Sequence, residues 1–278
     1  MSTNGQASVT VEPDVVFGTG GGRELRCDIH RPAADAGKRT ALVLFHGGGF
    51  RGGSRGAIAA RAAHFAAAGH VCIAAEYRLT GEATWPAQLH DAKAAIRWTR
   101  ANANMLGVDG DRIGVGGFSA GGLLALVTAG SGNALELEGD GGNEGVGSQA
   151  AACLGYYPVV EMRPAPGDFP LLPADSTEQM IASASTYTQI SASFPPTVLF
   201  HGTEDTTIPL TSSVRLFDAL REAGVAAEIH AMEGVPHAFD RHPEMGEACA
   251  VMVDLFLDRH VVNPRVYPPF APGAVVRD

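Results

Sequence analysis

Positive charge is scarce in this sequence. Its 278 residues include 20 lysines and arginines against 30 aspartates and glutamates, and only Lys38 and Lys93 are lysines. The resulting net charge of −10 argues against a general nucleic-acid binder and against a protein that binds anionic membranes. Long apolar runs are missing as well, because none approaches the roughly 18 residues that a membrane-spanning helix needs.

Cysteine is sparse and widely scattered. The sequence has four, Cys27, Cys72, Cys153 and Cys249, which form no CxxC pair and no zinc-ligand spacing, and the HExxH zinc motif is absent. The first residues, MSTNGQASVTVEP, contain neither the basic nor the apolar stretch of a secretion signal. We therefore expect no metal site, reduced thiols and a cytoplasmic location.

Short apolar runs alternate with helix-like patterns along the chain. The run ALVLF at 41–45 is typical of a strand that is covered on both faces. The alternation predicts an α/β fold, with a mostly parallel central sheet and helices on both faces. The predicted strands are 8–17, 25–31, 41–45, 71–75, 112–116, 151–156, 197–201 and 227–232, with a glycine loop at 18–22. The predicted helices are 58–68, 86–101, 121–129, 211–223 and 245–260.

We predict a single domain over residues 1–278, since no linker or internal repeat divides the chain. Residues 162–196 interrupt the alternation of strands and helices. This segment is rich in proline, serine and threonine, and it is too long for a plain connection. We interpret it as a small cap or lid insertion.

The pattern Gly117-Phe118-Ser119-Ala120-Gly121 lies directly between a predicted strand and a predicted helix. The chain must reverse sharply there, which exposes the serine hydroxyl, and the small flanking residues let strand and helix approach closely. A Rossmann-type turn is the alternative, but Ser119 stands where that fingerprint requires glycine. The context favours Ser119 as a nucleophile.

Three consecutive glycines follow the strand at 41–45, within the motif HGGGF that runs from His46 to Phe50. Glycines leave backbone N–H groups uncovered, so these groups can stabilise a developing oxyanion. The N–H of Ala120, directly after the nucleophile, is the other expected donor. We interpret His46 itself as structural.

A serine nucleophile needs a base, and the base needs an orienting carboxylate. Asp205 follows the strand at 197–201, at the strand end where such sheets place catalytic groups. Its neighbour Glu204 is the rival. We interpret His201 as a support for this acid loop.

The base candidate is His237, one of ten histidines. It lies in a loop after the strand at 227–232, downstream of Ser119 and Asp205. His242 is the alternative.

Several aromatic residues lie close to these motifs in sequence. Each of them has core packing as its alternative role. If they converge on one site, they narrow the acyl pocket, so we expect short acyl chains, from acetate to about hexanoate. The predicted substrate-binding residues are Phe50, Phe118, Tyr156, Tyr157 and Phe239.

In order and spacing, these motifs resemble the α/β-hydrolases, and within them the hormone-sensitive-lipase-like carboxylesterases. The resemblance runs from about residue 28 to 260 and includes EYRL at 76–79, WPAQ at 85–88 and DGDRI at 109–113. The nucleophile turn reads GFSAGG where the best-known members have GDSAGG, and little precedes the glycine motif. The short start and the acid loop HGTEDTTIP at 201–209 are more similar to the bacterial branch related to acetyl-xylan and feruloyl esterases.

The resemblance implies that Ser119, Asp205 and His237 are nucleophile, acid and base, in the Ser…Asp…His order of this fold. It implies a serine carboxylesterase that hydrolyses short-chain esters through an acyl-enzyme, without a cofactor. The residues implied for the oxyanion hole are Gly48, Gly49 and Ala120.

Three alternatives stay open at this stage. The same triad would serve an acetyl-xylan or feruloyl-type esterase, or an arylformamidase or amidase. A non-catalytic binding module on this fold ranks lower, because all three triad positions are filled. The expected partners are a small-molecule ester substrate and, in a homodimer, a second copy of the chain, with no nucleic acid and no membrane.

Overall fold

The computed structural model describes residues 9–33, 37–132, 134–168 and 170–268. Within these ranges, one sheet has the strand order β1-β2-β4-β3-β5-β6-β7-β8. The strands are β1 (Thr10–Gly20), β2 (Arg23–Arg31), β3 (Ala41–Phe45), β4 (Val71–Ala75), β5 (Ile113–Phe118), β6 (Ala152–Tyr156), β7 (Thr197–Gly202) and β8 (Ala227–Met232). The helices are α1 (Ala59–Ala67), α2 (Ala87–Ala101), α3 (Ala103–Leu106), α4 (Ala120–Gly130), α5 (Glu178–Ser183), α6 (Leu210–Glu222) and α7 (Pro243–Leu257). Short turns of other helix types are Arg55–Ile58, Leu135–Leu137, Tyr187–Gln189, Phe239–Arg241 and Asp258–Val262.

The strands from β3 to β8 are all parallel, and β1 and β2 join their edge as an antiparallel hairpin. The chain runs outward from β3 to β4 and then returns to place β5 on the other side of β3. In such sheets, ligands bind beyond the carboxyl ends of the strands where the order reverses. The loops after β3 and β5 are therefore the expected place for a site.

Alternating side chains of the central strands build two separate apolar cores. In β3, Val43 and Phe45 face the core under α2, α4 and α6, whereas Leu42 and Leu44 face the core under α1 and α7. Every residue of β3 is buried because helices cover both faces of the sheet. The predicted α/β architecture is confirmed.

The first hairpin differs from its prediction. β1 extends to Gly20 and β2 begins at Arg23, so the predicted loop at 18–22 shrinks to a two-residue turn. Gly18 pairs with Leu25 inside the hairpin, and a Cβ on Gly18 would lie 2.3 Å from the carbonyl oxygen of Gly141. Glycine is required there by this close approach of a neighbouring loop. Residue 8, the predicted start of β1, lies outside the described residues.

In the described residues of the predicted insertion at 162–196, the helical elements are the short helix α5 and the turn Tyr187–Gln189, and Ser185 forms an isolated bridge with Glu161. Trp85 anchors it, because its backbone N–H donates to the carbonyl of Leu171 and its indole N–H donates to the hydroxyl of Ser183 at 2.8 Å. Among the helices of the described residues, none has the length and apolar character needed to cross a membrane.

Candidate active site

Ser119 occupies the tight turn between β5 and α4. Its backbone has φ 57° and ψ −116°, a conformation that side-chain-bearing residues rarely adopt and that marks functional sites. The turn closes only because both flanking glycines lack side chains. A Cβ on Gly117 would lie 1.8 Å from the Gly121 carbonyl oxygen, and one on Gly121 would lie 2.3 Å from the Phe45 carbonyl oxygen. The strain holds the Ser119 hydroxyl at the carboxyl edge of the sheet.

The glycine motif after β3 packs beside this turn. Gly48 and Gly49 have φ values of 124° and 63°, and a Cβ on Gly48 would lie 2.1 Å from the carbonyl oxygen of Gly52. Among the described residues, the N–H groups of Gly48, Gly49 and Ala120 donate to no protein acceptor. Ala120 begins α4, whose first N–H groups have no partner within the helix. These free amides are available to an oxyanion.

His46 supports the glycine loop from below. It is buried, stacks on the ring of Tyr77 at 4.4 Å between centroids, and contacts the Gly47 carbonyl through Nδ1 at 2.8 Å. The Tyr77 hydroxyl donates to the His46 carbonyl at 2.8 Å. Burial lowers the pKa of His46, which favours a neutral, structural imidazole.

Three segments that are far apart in the sequence meet at the nucleophile. His237 Nε2 lies 3.1 Å from Ser119 Oγ, and His237 Nδ1 lies 2.6 Å from Asp205 Oδ2. A carboxylate can only accept, so Nδ1 carries the proton and Nε2 is left to accept from the serine hydroxyl. This is the geometry that general-base activation of a serine requires.

Asp205 is held by three hydrogen bonds and one further contact. Its Oδ1 accepts the backbone N–H groups of Thr207 and Ile208 at 2.9 and 2.8 Å. Besides His237, its Oδ2 lies 3.3 Å from His201 Nε2. The Asp205 carboxylate is fully buried, and these contacts fix its orientation.

His201 is itself fixed by two groups. Its Nδ1 lies 2.7 Å from the Ser213 hydroxyl and its Nε2 lies 2.8 Å from the Ile208 carbonyl. Because Nε2 faces only acceptors, it carries the proton, and Nδ1 accepts from Ser213. Burial lowers the pKa of His201, so the ring is neutral; it donates from Nε2 to the Ile208 carbonyl and lies against Asp205. The two rivals lie elsewhere, since Glu204 is exposed beside the acid and His242 is exposed at the start of α7.

A cavity of about 420 Å³ opens beside the Ser119 hydroxyl. Of the five predicted substrate-binding aromatics, Phe118 and Tyr157 line it, and the ring of Tyr157 contacts His237 at 4.5 Å between centroids. The other three do not line it. Phe50 packs on Tyr77, Tyr156 stacks on Phe200, and Phe239 packs on the buried side of Tyr157. The lining residues are Gly47, Gly48, Gly49, Gly53, Ala57, Ile58, Arg61, Phe118, Ser119, Tyr157, His237, Ala238 and Arg241.

Proximity in sequence does not decide whether a side chain reaches the cavity, because neighbouring residues point to different sides of the backbone. Tyr156 is the last residue of β6 and points into the apolar core, whereas Tyr157 follows the strand and turns toward the site. The described residues of the segment 162–196 also do not line the cavity at Ser119. They line a neighbouring cavity of about 310 Å³ that shares Gly49 with it.

A buried polar cluster forms the wall of the cavity and was not predicted from the sequence. The Arg61 guanidinium binds both oxygens of Asp240, the second of them through a 3.3 Å contact, and it stacks 4.7 Å from the centre of the Phe118 ring. The Tyr157 hydroxyl donates to Asp240 at 2.5 Å. The Asp240 carboxylate therefore ties α1 and the end of β6 to the turn that follows His237.

Comparisons with known proteins agree with this geometry. The sequence model of the BD-FAE family matches residues 27–220. LipM of Mycobacterium tuberculosis, named a probable carboxylic ester hydrolase, is 32% identical over 236 residues, which are 79% of this chain and 54% of LipM. Esterase LipQ of the same organism is 30% identical over 82% of this chain and 57% of its own length. The chain thus spans about half the length of these relatives.

A solved structure matches over almost its whole length. Esterase 2 of Thermogutta terrifontis superposes with a TM-score of 0.75 at 30% identity, covering 94% of this chain and 95% of that one. That esterase has also been solved with butyrate bound, with propionate bound and phosphorylated by paraoxon. The shared architecture is the α/β-hydrolase fold.

Proposed function

The chain belongs to the BD-FAE family of α/β-hydrolases, and from this premise we propose that it is a serine carboxylesterase acting on short-chain esters. One observation carries the proposal. Ser119, His237 and Asp205 form a continuous chain of contacts, at 3.1 and 2.6 Å, in which Ser119 and His237 line a cavity together with Gly48 and Gly49, and Asp205 is buried behind them.

The first half of the proposed reaction forms the acyl-enzyme. His237 Nε2 takes the proton of Ser119 as Oγ attacks the carbonyl carbon of the ester. Asp205 keeps the imidazole in the required tautomer and stabilises the imidazolium that forms. The imidazolium then gives its proton to the departing alcohol, which leaves the acyl group on Oγ.

The negative charge of the tetrahedral intermediate falls on the former carbonyl oxygen. In the proposal, the amides of Gly48, Gly49 and Ala120 bind it, and loss of one such donor typically costs about 10²–10³ in rate. Water repeats the attack with His237 as base, and the carboxylic acid product leaves. The residues described here carry each proton transfer in this reaction.

The size of the cavity supports a preference for short acyl groups. At about 420 Å³ it must hold the ester bond and its substituents together. A buried methylene contributes about 0.8 kcal/mol only while the cavity has room for it. The butyrate and propionate complexes of the Thermogutta esterase support the same preference for short acyl groups. We place the optimum between acetate and hexanoate.

A panel of p-nitrophenyl esters of increasing chain length tests the proposal. We expect kcat/KM to peak at short chains, and Ser119→Ala to lower kcat by about 10⁶. Ser212→Ala, on the outer part of α6, is the matched control and should keep full activity. Fastest turnover on palmitate esters, or undiminished turnover in Ser119→Ala, would contradict the proposal. An acetylated xylan and an anilide in the same assay test the two alternative substrate classes.

The domain organisation is part of the proposal. We treat residues 162–196 as a lid within a single α/β-hydrolase domain. Two facts support this role: the segment is anchored through Trp85, and it lines the second cavity that meets the first at Gly49. A larger ester bound at the glycine amides would extend into that cavity.

A cytoplasmic location and a homodimer are further proposals. The four cysteines are free and buried, and burial raises the pKa of Cys27 and of Cys249 to about 12, which suits inert thiols in a reducing compartment. For the dimer, Val251 and Leu255 are exposed one turn apart on α7. Light scattering of the purified protein measures the oligomeric state directly.

A further inference from the structure

The rim of the catalytic cavity carries an unpaired positive charge. Arg241 lines the cavity together with Ser119 and His237, in the helical turn Phe239–Arg241 that directly follows the base. Its side chain is exposed, and its guanidinium forms no ion pair or hydrogen bond with any residue that the structure describes.

The other arginine of the cavity is different. Arg61 is 7% exposed, and Asp240 neutralises its charge. Among the residues that the structure describes, no aspartate or glutamate lines the cavity, since Asp205 and Asp240 are buried behind it. Within that part of the chain, Arg241 is therefore the one uncompensated charge in the cavity wall, and the net charge of the whole sequence is −10.

The positive charge of Arg241 acts on Tyr157, which also lines the cavity. Burial and the neighbouring Asp240 carboxylate raise the pKa of Tyr157 well above its ordinary value, and the positive charges of Arg61 and Arg241 oppose this rise. Tyr157 lies against the ring of His237, so the field of Arg241 acts where the substrate binds. A guanidinium presents several N–H donors in a plane, an arrangement that fits a carboxylate.

We propose that Arg241 binds a carboxylate carried by the substrate near the ester bond, so that the protein prefers half-esters of short dicarboxylic acids or short hydroxy acids that are acylated on the hydroxyl group and keep a free carboxylate. This inference rests on the proposed esterase function. The inference adds Arg241 to the proposed esterase as a residue that determines specificity, because the triad and the glycine amides act equally on charged and neutral esters.

Two pairs of esters test the inference. In each pair, a carboxylate in one ester replaces the terminal methyl group of the other. Methyl butyrate and monomethyl succinate differ by a carboxylate on the acyl side, and propyl acetate and β-acetoxypropanoate differ by one on the alcohol side. Hydrolysis is followed in a pH-stat, and the ratio of kcat/KM for the charged ester to that for the neutral ester is compared between proteins. Arg221→Gln is the matched control, since Arg221 is also exposed and unpaired within the described residues but lies at the far end of α6.

In one of the two pairs, we expect Arg241→Gln to lower this ratio by about fivefold, the size expected of a solvent-exposed charge pair. Arg241→Lys should retain most of the ratio, and Arg221→Gln all of it. Added salt should lower the wild-type ratio and leave that of Arg241→Gln unchanged, because salt screens exposed charges. The pair that responds identifies the side of the ester that Arg241 contacts.

Two outcomes overturn the inference. The first leaves the proposed esterase function in place, and the second contradicts it as well. Equal ratios in wild type and Arg241→Gln for both pairs contradict the role of Arg241 and leave the esterase proposal intact. A wild-type protein that hydrolyses none of the four esters contradicts the proposed function, and the inference falls with it.

Discussion

Asp205 and Glu204 are adjacent in the sequence and differ completely in their surroundings. The Asp205 carboxylate is fully buried and has His237, His201 and two backbone amides as partners. Glu204 is exposed, and among the described residues its one hydrogen bond runs from its backbone N–H to the carbonyl of Val235. Sequence alone leaves the two acids as rivals, whereas the turn after β7 directs only one of them inward.

This difference gives a prediction for two matched variants. Asp205→Asn should lower kcat by about 10⁴ at neutral pH, because an amide can stabilise the wrong tautomer of His237 and cannot stabilise the imidazolium. Glu204→Gln should change kcat less than twofold, as for most exposed surface changes. Steady-state kinetics on a short-chain ester measures both. A larger loss in Glu204→Gln than in Asp205→Asn would assign the acid to Glu204.

At the scale of elements, the junction of β5 and α4 requires glycine at position 121, where a side chain would not fit. Helix propensity alone predicts that Gly121→Ala stabilises α4, by up to about 1 kcal/mol. The structure predicts the opposite sign, because a Cβ at this position would lie 2.3 Å from the Phe45 carbonyl and 2.4 Å from that of His46. Both neighbours are backbone atoms next to the oxyanion loop and cannot move freely.

We expect Gly121→Ala to lower the free energy of unfolding by about 1–3 kcal/mol or more, the range of overpacked sites, and to reduce kcat because Ser119 shifts. Gly81→Ala is the control, since nothing lies within 4 Å of a Cβ there and its φ is not in the left-handed region. The control should stay within about 0.5 kcal/mol of wild type. Chemical denaturation measures both values, and a stabilised Gly121→Ala protein would show that the junction is looser than described.

The sequence predicts strand bounds well both in the buried centre of the sheet, at β3 and β4, and at the half-buried edge strand β8. β3, β4 and β8 have their predicted bounds, and α2 starts one residue later than predicted. The hairpin at the edge was predicted less well because glycine usually signals a loop. In β1, glycine is kept inside a strand by the loop around Gly141, a contact between distant parts of the chain.

At the scale of the whole molecule, the parallel sheet explains why the site residues could be identified from the sequence. Parallel strands bring their carboxyl ends to one edge, so Ser119 after β5, Asp205 after β7 and His237 after β8 converge there. The convergence of strand ends does not predict the contact between Arg61 and Asp240. These two are 179 residues apart and meet because α1 and the turn after His237 share one face of the sheet. A sequence without structure offers no signal for this pair.

Buried histidines make the stability of the whole molecule depend on pH. Burial lowers the pKa of His30, His46 and His201 below the unfolded value of about 6.5. The unfolded chain therefore binds more protons than the folded chain as the pH falls below that value. The stability gained from the neutral rings is fully present above about pH 6.5 and is lost as the pH falls through the folded pKa values.

Urea denaturation at a series of pH values between about 8 and 5 checks this dependence. We expect the free energy of unfolding to decrease toward pH 5, and His30→Gln to reduce the slope, because it removes one group that titrates only on unfolding. Gly81→Ala is the control, since it changes no titratable group and should leave the slope unchanged. A protein that gains stability as the pH falls from 7 to 5 would require charged histidines in the folded state.

The central claim is that Ser119 is the nucleophile, and covalent labelling with paraoxon tests it most directly. Attack by Ser119 Oγ forms an oxygen–phosphorus bond, His237 takes the proton, and p-nitrophenolate leaves. Peptide mass spectrometry should then find one diethylphosphoryl group per chain, located on Ser119, and none in Ser119→Ala. A label on another residue with Ser119 unmodified, or equal labelling of Ser119→Ala, would contradict the account.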